Sequence, residues 1–204
     1  MGYVWMILMG YLLGSSNMAF YLARWKRADL RQNGSGNLGA SNATILLGWR
    51  SGVLVGAHDI GKAVLAVQLA RWLYPGLENV GAVAGVACVL GHIFPFYLKF
   101  RGGKGFASYL GMTIALNWKL ALVILAVVLV VTVVTDYIVV GTVTTVITVP
   151  AALGVLTGSI YPPLILLVAT AVILFKHREN FSRILNGTEV GLRSAIRGEN
   201  RLKS

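Results

Sequence analysis

Charge is scarce in this chain, and acidic charge most of all. Seven Asp and Glu stand against 18 Lys and Arg, and charged residues make up only 12% of the 204 positions. A soluble domain of ordinary composition carries about 25%. Cysteine is nearly missing as well. Cys88 stands alone, so no disulfide can close within one chain, and its apolar surroundings suit a small packing residue better than a nucleophile. Three His residues are present, and none is followed five positions later by an acidic residue. That excludes the His-x4-Asp dyad of thioester-dependent glycerolipid acyltransferases. A Gly-x-Ser-x-Gly elbow, a metal-ligand cluster and a Walker-type loop are also absent from the sequence, so it suggests no bound metal and no cofactor.

Apolar sequence fills the space that charge leaves. The chain is 56% hydrophobic with a mean hydropathy of +0.73, and apolar runs recur along nearly its whole length. This composition predicts an all-α polytopic integral membrane protein. The first run, 3–23, lacks a basic leader and is too long for a signal-peptide core, so it reads as a retained span. Seven spans fit: 3–23, 51–73, 79–98, 105–117, 120–135, 137–156 and 160–175. The fourth is short against the roughly 20 residues that a crossing needs, so it reads as a half-span or a helix set against its neighbours. Residues 120–156 as one helix would reach about 55 Å, nearly twice the hydrocarbon core, and Asp136 in the middle marks a tight hairpin.

Basic residues fix the orientation. Segments 24–50, 98–104 and 176–204 hold 15 of the 18 Lys and Arg, and an odd number of spans places all three on the cytoplasmic side. The N-terminus then lies outside and the C-terminus inside. The net charge of +11 is thus a topological signal rather than a nucleic-acid footprint. All five Trp residues (Trp5, Trp25, Trp49, Trp72 and Trp118) fall at proposed span ends, as an interfacial belt requires. No linker divides the chain. We read 1–189 as one membrane domain and 190–204 as a basic cytoplasmic tail.

Three polar motifs face the cytoplasm in this topology. The first, Gly34–Asn42 (GSGNLGASN), has the glycines, hydroxyls and amides for a backbone nest around an anion, or else makes a flexible turn. The second, Gly91–Gly105 (GHIFPFYLKFRGGKG), ends a span in His92 and then sets Gly102, Gly103 and Gly105 around Lys104. Glycine allows a ligand to approach the backbone, and the helix start after Gly105 favours an anion. Lys99, Arg101 and Lys104 also serve as positive-inside markers. The third motif runs from His177 to Glu189 (HRENFSRILNGTE). A helix there puts His177 and Asn180 on one face, and Arg178 and Arg183 can bind phosphate or pair with Glu179 and Glu189. Within the second span Asp59 and Lys62 are spaced to pair, as an ion pair or as part of a functional cavity. Thr142, Thr144, Thr145 and Thr148 on the sixth span satisfy local carbonyls in the simplest reading.

In order and spacing, GSGNLG with Asn42, then GHIFP with FRGGKG, then HREN with Arg183, Gly187 and Glu189, resemble the bacterial acyl-phosphate:glycerol-3-phosphate acyltransferases, the PlsY family. The resemblance covers essentially the whole chain, and Asp59 and Lys62 match that family's charged pair. It implies a seven-span enzyme of the bacterial cell (inner) membrane. That enzyme moves an acyl group from acyl phosphate to the 1-hydroxyl of glycerol 3-phosphate, giving lysophosphatidic acid and phosphate, the first step of phospholipid synthesis. The partners implied are these two substrates, the lipid bilayer and the enzyme that supplies acyl phosphate. No nucleic acid is implied.

The resemblance also carries roles. Ser35, His177, Asn180 and Thr142 stand at catalytic positions. Gly34, Gly36, Asn37, Asn42, Gly102, Gly103, Lys104 and Gly105 stand at substrate-binding positions. Asp59, Lys62, His92, Arg183 and Glu189 stand at supporting ones. Several positions depart from the family pattern: Ile45 stands where an Arg is usual, Thr142 where a Ser is usual, Ser41 where Thr is usual, and Ala63 where Gly is usual. The Ile45 departure motivates a second reading from another class, an anion-binding or transport protein on the same scaffold.

Overall fold

A computed structural model of the chain describes residues 1–196, and among these the regular structure is entirely helical. The helices form two compact units, Met1–Asn117 and the part that begins at Trp118. Five stretches are long and apolar enough to cross a membrane: Gly2–Trp25, Trp49–Leu73, Val80–Leu98, Trp118–Thr135 and Ile138–Thr157. They match the first, second, third, fifth and sixth expected spans.

In the first unit, the opening span is two helices, α1 (Gly2–Ser15) and α2 (Met18–Trp25). Neither Gly nor Pro breaks it. Asn17 does, because its side-chain oxygen accepts the Phe20 N–H at 2.9 Å and caps α2 as a new helix. The carbonyl of Ser16, left without a helical partner, accepts the Lys62 ammonium at 2.7 Å. Next come α3 (Ala40–Leu47), α4 (Trp49–Leu73) and α5 (Val80–Ile93). A single 3-10 turn at Phe96–Leu98 and α6 (Phe106–Leu116) complete the unit. The short helix α3 inside the first loop was not expected from the sequence. Lys26 closes its end by donating to the Leu47 carbonyl at 3.0 Å.

Glycine brings these helices together. A Cβ at Gly10 or Gly14 on α1 would strike the carbonyl oxygen of Ala84 or Cys88 on α5, and one at Gly91 on α5 would strike that of Tyr11. Gly111 on α6 meets the Ile60 carbonyl of α4 in the same way. In lipid there is little hydrophobic force between helices, so close backbone approach through small residues carries the packing. The eleven residues of α6 reach about 16 Å, half of a bilayer core. It ends where Arg71 of α4 donates to the Ala115 carbonyl at 2.6 Å.

In the second unit, α7 (Trp118–Thr135) and α8 (Ile138–Thr157) form the expected hairpin, with Asp136 at φ 70° making the turn. Helix α9 (Tyr161–Leu185) starts on Pro162 and Pro163 and runs ten residues past the expected span end at 175. Thr170 of α9 donates to the Val146 carbonyl of α8 at 2.8 Å. After α9 the chain returns to the hairpin. Asp136 accepts the Leu192 N–H on its carbonyl at 2.7 Å and the Arg193 N–H on its carboxylate at 2.8 Å. This starts a one-turn helix, α10 (Leu192–Ile196), at the head of the basic segment. The rest of that segment lies outside the described residues. The five Trp side chains are all exposed, as the interfacial belt requires.

Replacing Gly14 by Val is expected to push α1 off α5 at the cost of overpacking, on the order of 1–3 kcal/mol or more. A thermal melt of the purified protein checks this, against Leu12→Val on the exposed face of α1, which should leave the melting temperature nearly unchanged.

Candidate functional site

The first motif is a loop wound around one side chain. Asn42 is buried at the start of α3, and its amide donates to the carbonyls of Leu30 (2.9 Å), Asn37 (3.0 Å) and Asn33 (3.3 Å). Its oxygen accepts the Ser35 N–H at 3.0 Å. Gly34 and Gly36 take left-handed φ of 62° and 67° to go around this post, and a Cβ at Gly34 would collide with the Asn42 oxygen. The Gly34–Gly36 arc, including Ser35, is exposed, while Leu30 and Leu38 on either side are buried with Ala19, Leu22, Val55 and Leu98. The arc is thus presented to solvent on an apolar footing. Asn42 works from inside the loop.

The second motif lies against α5. Phe100 and Lys99 adopt left-handed φ, and the chain then folds back so that Gly102 N–H donates to the Ile93 carbonyl (3.0 Å) and Gly103 N–H to that of His92 (3.1 Å). The Cβ side of Gly102 is filled by the His92 carbonyl and the Pro95 ring, and that of Gly103 by the His92 imidazole. Gly105, at φ 95°, caps α6, and Lys104 is half-buried between the two glycines. The two loops of this unit touch. Arg31 donates to the carbonyls of Leu98 and Arg101, both at 3.3 Å, and Leu98 shares the apolar cluster of Leu30 and Leu38.

Under the second loop lies a buried ionic cluster. Lys62 contacts the Asp59 carboxylate at 2.8 Å one turn away on α4, as the spacing predicts. It also reaches the Ser16 carbonyl at 2.7 Å and His92 Nδ1 at 2.8 Å. Asp59, Lys62 and His92 are 2%, 7% and 3% exposed, so this cluster is part of the interior. His58 adds a contact from Nε2 to the Ser16 hydroxyl at 3.0 Å. The link between Lys62 and His92 is not visible in the sequence, because 30 residues separate them.

In the second unit, α9 carries His177 and Asn180 one turn apart, both buried, on the helix that the motif predicts. His177 Nδ1 lies 2.8 Å from the Ile173 carbonyl, which can only accept, so Nδ1 is the donor in that contact. Glu189 grips both neighbours: Asn180 donates to one carboxylate oxygen at 2.6 Å and Arg183 Nε to the other at 2.6 Å. Gly187 at φ 68° makes the turn that brings Glu189 back. Thr142 on α8 donates to the Ile138 carbonyl at 3.1 Å, and Thr144, Thr145 and Thr148 do the same one turn along. Ile45 lies on α3 at 37% exposure. Arg50, at the start of α4, stacks over Trp49 at 5.5 Å.

Changing Glu189 to Gln should loosen Asn180 and strand Arg183, at about 1.5–3 kcal/mol for a hydrogen bond to a charged group. A lower melting temperature checks this, and an unchanged one would refute the clamp.

The glycerol-3-phosphate acyltransferase family model matches residues 4–187. A glycerol-3-phosphate acyltransferase of Thermoanaerobacter pseudethanolicus is 37% identical over 184 residues, 89% of this chain and 91% of its own. One from Synechococcus sp. is 37% identical over 186 residues, covering 90% and 92%. Among solved structures, the crystal structure of PlsY (YgiH), an integral membrane glycerol 3-phosphate acyltransferase, in its glycerol 3-phosphate form superposes with a TM-score of 0.89. It is 33% identical and covers 96% of this chain and 98% of that one. Its lysophosphatidic acid form gives 0.85 at 32% identity, covering 94% and 95%. These likenesses favour an acyltransferase over an anion carrier, and the chain belongs to the glycerol-3-phosphate acyltransferase family.

Proposed function

We propose that this membrane acyltransferase uses acyl phosphate as its donor and glycerol 3-phosphate as its acceptor. The hydroxyl oxygen at position 1 attacks the acyl carbon, the carbon–oxygen bond to phosphate breaks, and the leaving phosphate takes the hydroxyl proton. The products are lysophosphatidic acid and phosphate. A mixed anhydride is already activated, so the protein's task is to position two anions and stabilise the developing oxyanion. What carries this reading is the pair of glycine loops of the first unit, packed on a common apolar footing and joined by Arg31.

In this assignment Gly102, Gly103, Lys104 and Gly105 hold the glycerol phosphate, and Ser35 with Gly34, Gly36 and Asn37 binds phosphate on the first loop. Asn42 supports that loop from within, which fits its three carbonyl partners. His177 and Asn180 serve the acyl transfer, with Arg183 and Glu189 behind them and Thr142 nearby in role. The enzyme lies in the bacterial cell (inner) membrane with seven crossings, N-terminus outside and C-terminus in the cytoplasm. It receives acyl phosphate from the enzyme that makes it. The membrane domain is 1–189, and the basic segment 190–204 follows on the cytoplasmic side.

Purified protein in vesicles should release phosphate from palmitoyl phosphate only when glycerol 3-phosphate is added, with lysophosphatidic acid formed in equal amount. Phosphate release without that product sinks the reading. Lys104→Ala should raise the KM for glycerol 3-phosphate about tenfold or more while changing kcat less, as expected when a charged hydrogen bond to the ground state is lost. Unchanged kinetics would remove Lys104 from the site.

A further inference from the structure

Lys62 has three N–H donors and three polar partners in reach: the Asp59 carboxylate, the Ser16 carbonyl and His92 Nδ1. His92 Nδ1 lies 2.8 Å from the Lys62 ammonium and 3.2 Å from the Asp59 carboxylate, so both charged groups of α4 hold the ring by this one nitrogen. Nε2 is the nitrogen that occupies the place of a side chain at Gly103. The backbone of the second loop thus rests on an imidazole whose orientation is set from α4. His92 also holds that loop by its carbonyl, through the Gly103 N–H at 3.1 Å.

A connection to the first loop leaves from the same point. The break between α1 and α2 is fixed on one side by Lys62 at the Ser16 carbonyl and by His58 at the Ser16 hydroxyl. On the other side Asn17 donates to the Leu38 carbonyl at 3.3 Å, inside the GSGNLGASN loop. Two steps of contact join the Lys62 ammonium to each loop.

We propose that Asp59, Lys62 and His92, with the Ser16–Asn17 break, are positioning residues for anion binding: they set the place of the second glycine loop and tie the first to it. This rests on the reading that the second loop holds glycerol phosphate. The cluster touches no substrate in this assignment and acts through Gly103 and Leu38. A cluster that only stabilised α4 would change the amount of folded protein and leave the affinity of the folded fraction alone. A positioning cluster changes affinity for the anion that the loop holds, while the other substrate is little affected.

The test uses the full chain, purified as folded helical protein, as wild type, Asp59→Asn, His92→Asn and Asn17→Ala. Calorimetry gives the Kd for glycerol 3-phosphate with no turnover, and steady-state kinetics give KM for each substrate. Expected for Asp59→Asn and His92→Asn is a rise in both Kd and KM for glycerol 3-phosphate of about tenfold, the order of one hydrogen bond to a charged group, with KM for palmitoyl phosphate within about twofold. Parent-like Kd in a folded variant overturns the proposal, as does an equal loss for both substrates. If the two charge-cluster variants do not fold, Asn17→Ala, which leaves every charge in place, decides by the same Kd comparison. Wild-type protein that binds glycerol 3-phosphate but forms no lysophosphatidic acid defeats the acyltransfer reading alone, and the Kd comparison still decides the cluster. Wild-type protein that does not bind it overturns both.

Discussion

An ammonium group far inside an apolar bundle has to give away all of its protons, because each one left over costs free energy that water would otherwise supply. Lys62 meets that demand with one partner from each of three helices or their ends: a carboxylate on α4, a freed carbonyl where α1 stops, and an imidazole on α5. The condition runs in both directions. Helix α1 can stop at Ser16 because Lys62 takes its carbonyl, and the His92 ring is held in place because Lys62 and Asp59 both meet its Nδ1. Removing one member of such a buried set leaves the rest uncompensated, at about 3–5 kcal/mol.

Glycine serves two different ends around that centre. On α1, α5 and α6 it removes side chains so that helix backbones touch, and those positions could not hold even alanine without movement. In the loops it has other work. Gly34, Gly36 and Gly105 use left-handed φ to turn the chain, whereas Gly102 and Gly103 make room for Pro95 and His92. One residue type thus builds the scaffold and shapes the proposed phosphate loops.

Much of this was legible in the sequence, for physical reasons that can be named. Hydropathy gives the long helices because lipid admits little else, and Asp136 marks the hairpin because a carboxylate is costly in mid-helix. Asp59 and Lys62 lie one turn apart, so their pairing follows from helical geometry. The contacts that order the site did not show. The break at Ser16–Asn17 has neither Gly nor Pro and depends on a lysine 46 residues away. Asn42 looked like a donor for an anion, yet its amide is occupied by three carbonyls of its own loop. The turn of α10 exists because Asp136 accepts two backbone N–H groups from a basic segment with almost no pattern. Each of these rests on specific polar contacts outside the helix repeat, and hydrophobic periodicity carries no record of such contacts.

The spacing of Asp59 and Lys62 bears on how the protein enters the bilayer. Both charges belong to α4 and can meet as soon as one turn of that helix has formed, before any neighbour is present. An isolated lysine at this depth resists insertion, but a cation and an anion one turn apart present a short dipole in place of two ions. The pair thus allows α4 to cross as a nearly neutral segment. The two remaining ammonium protons are then open until Ser16 and His92 arrive, which gives the half-assembled bundle a polar reason to collect α1 and α5 in place of other helices.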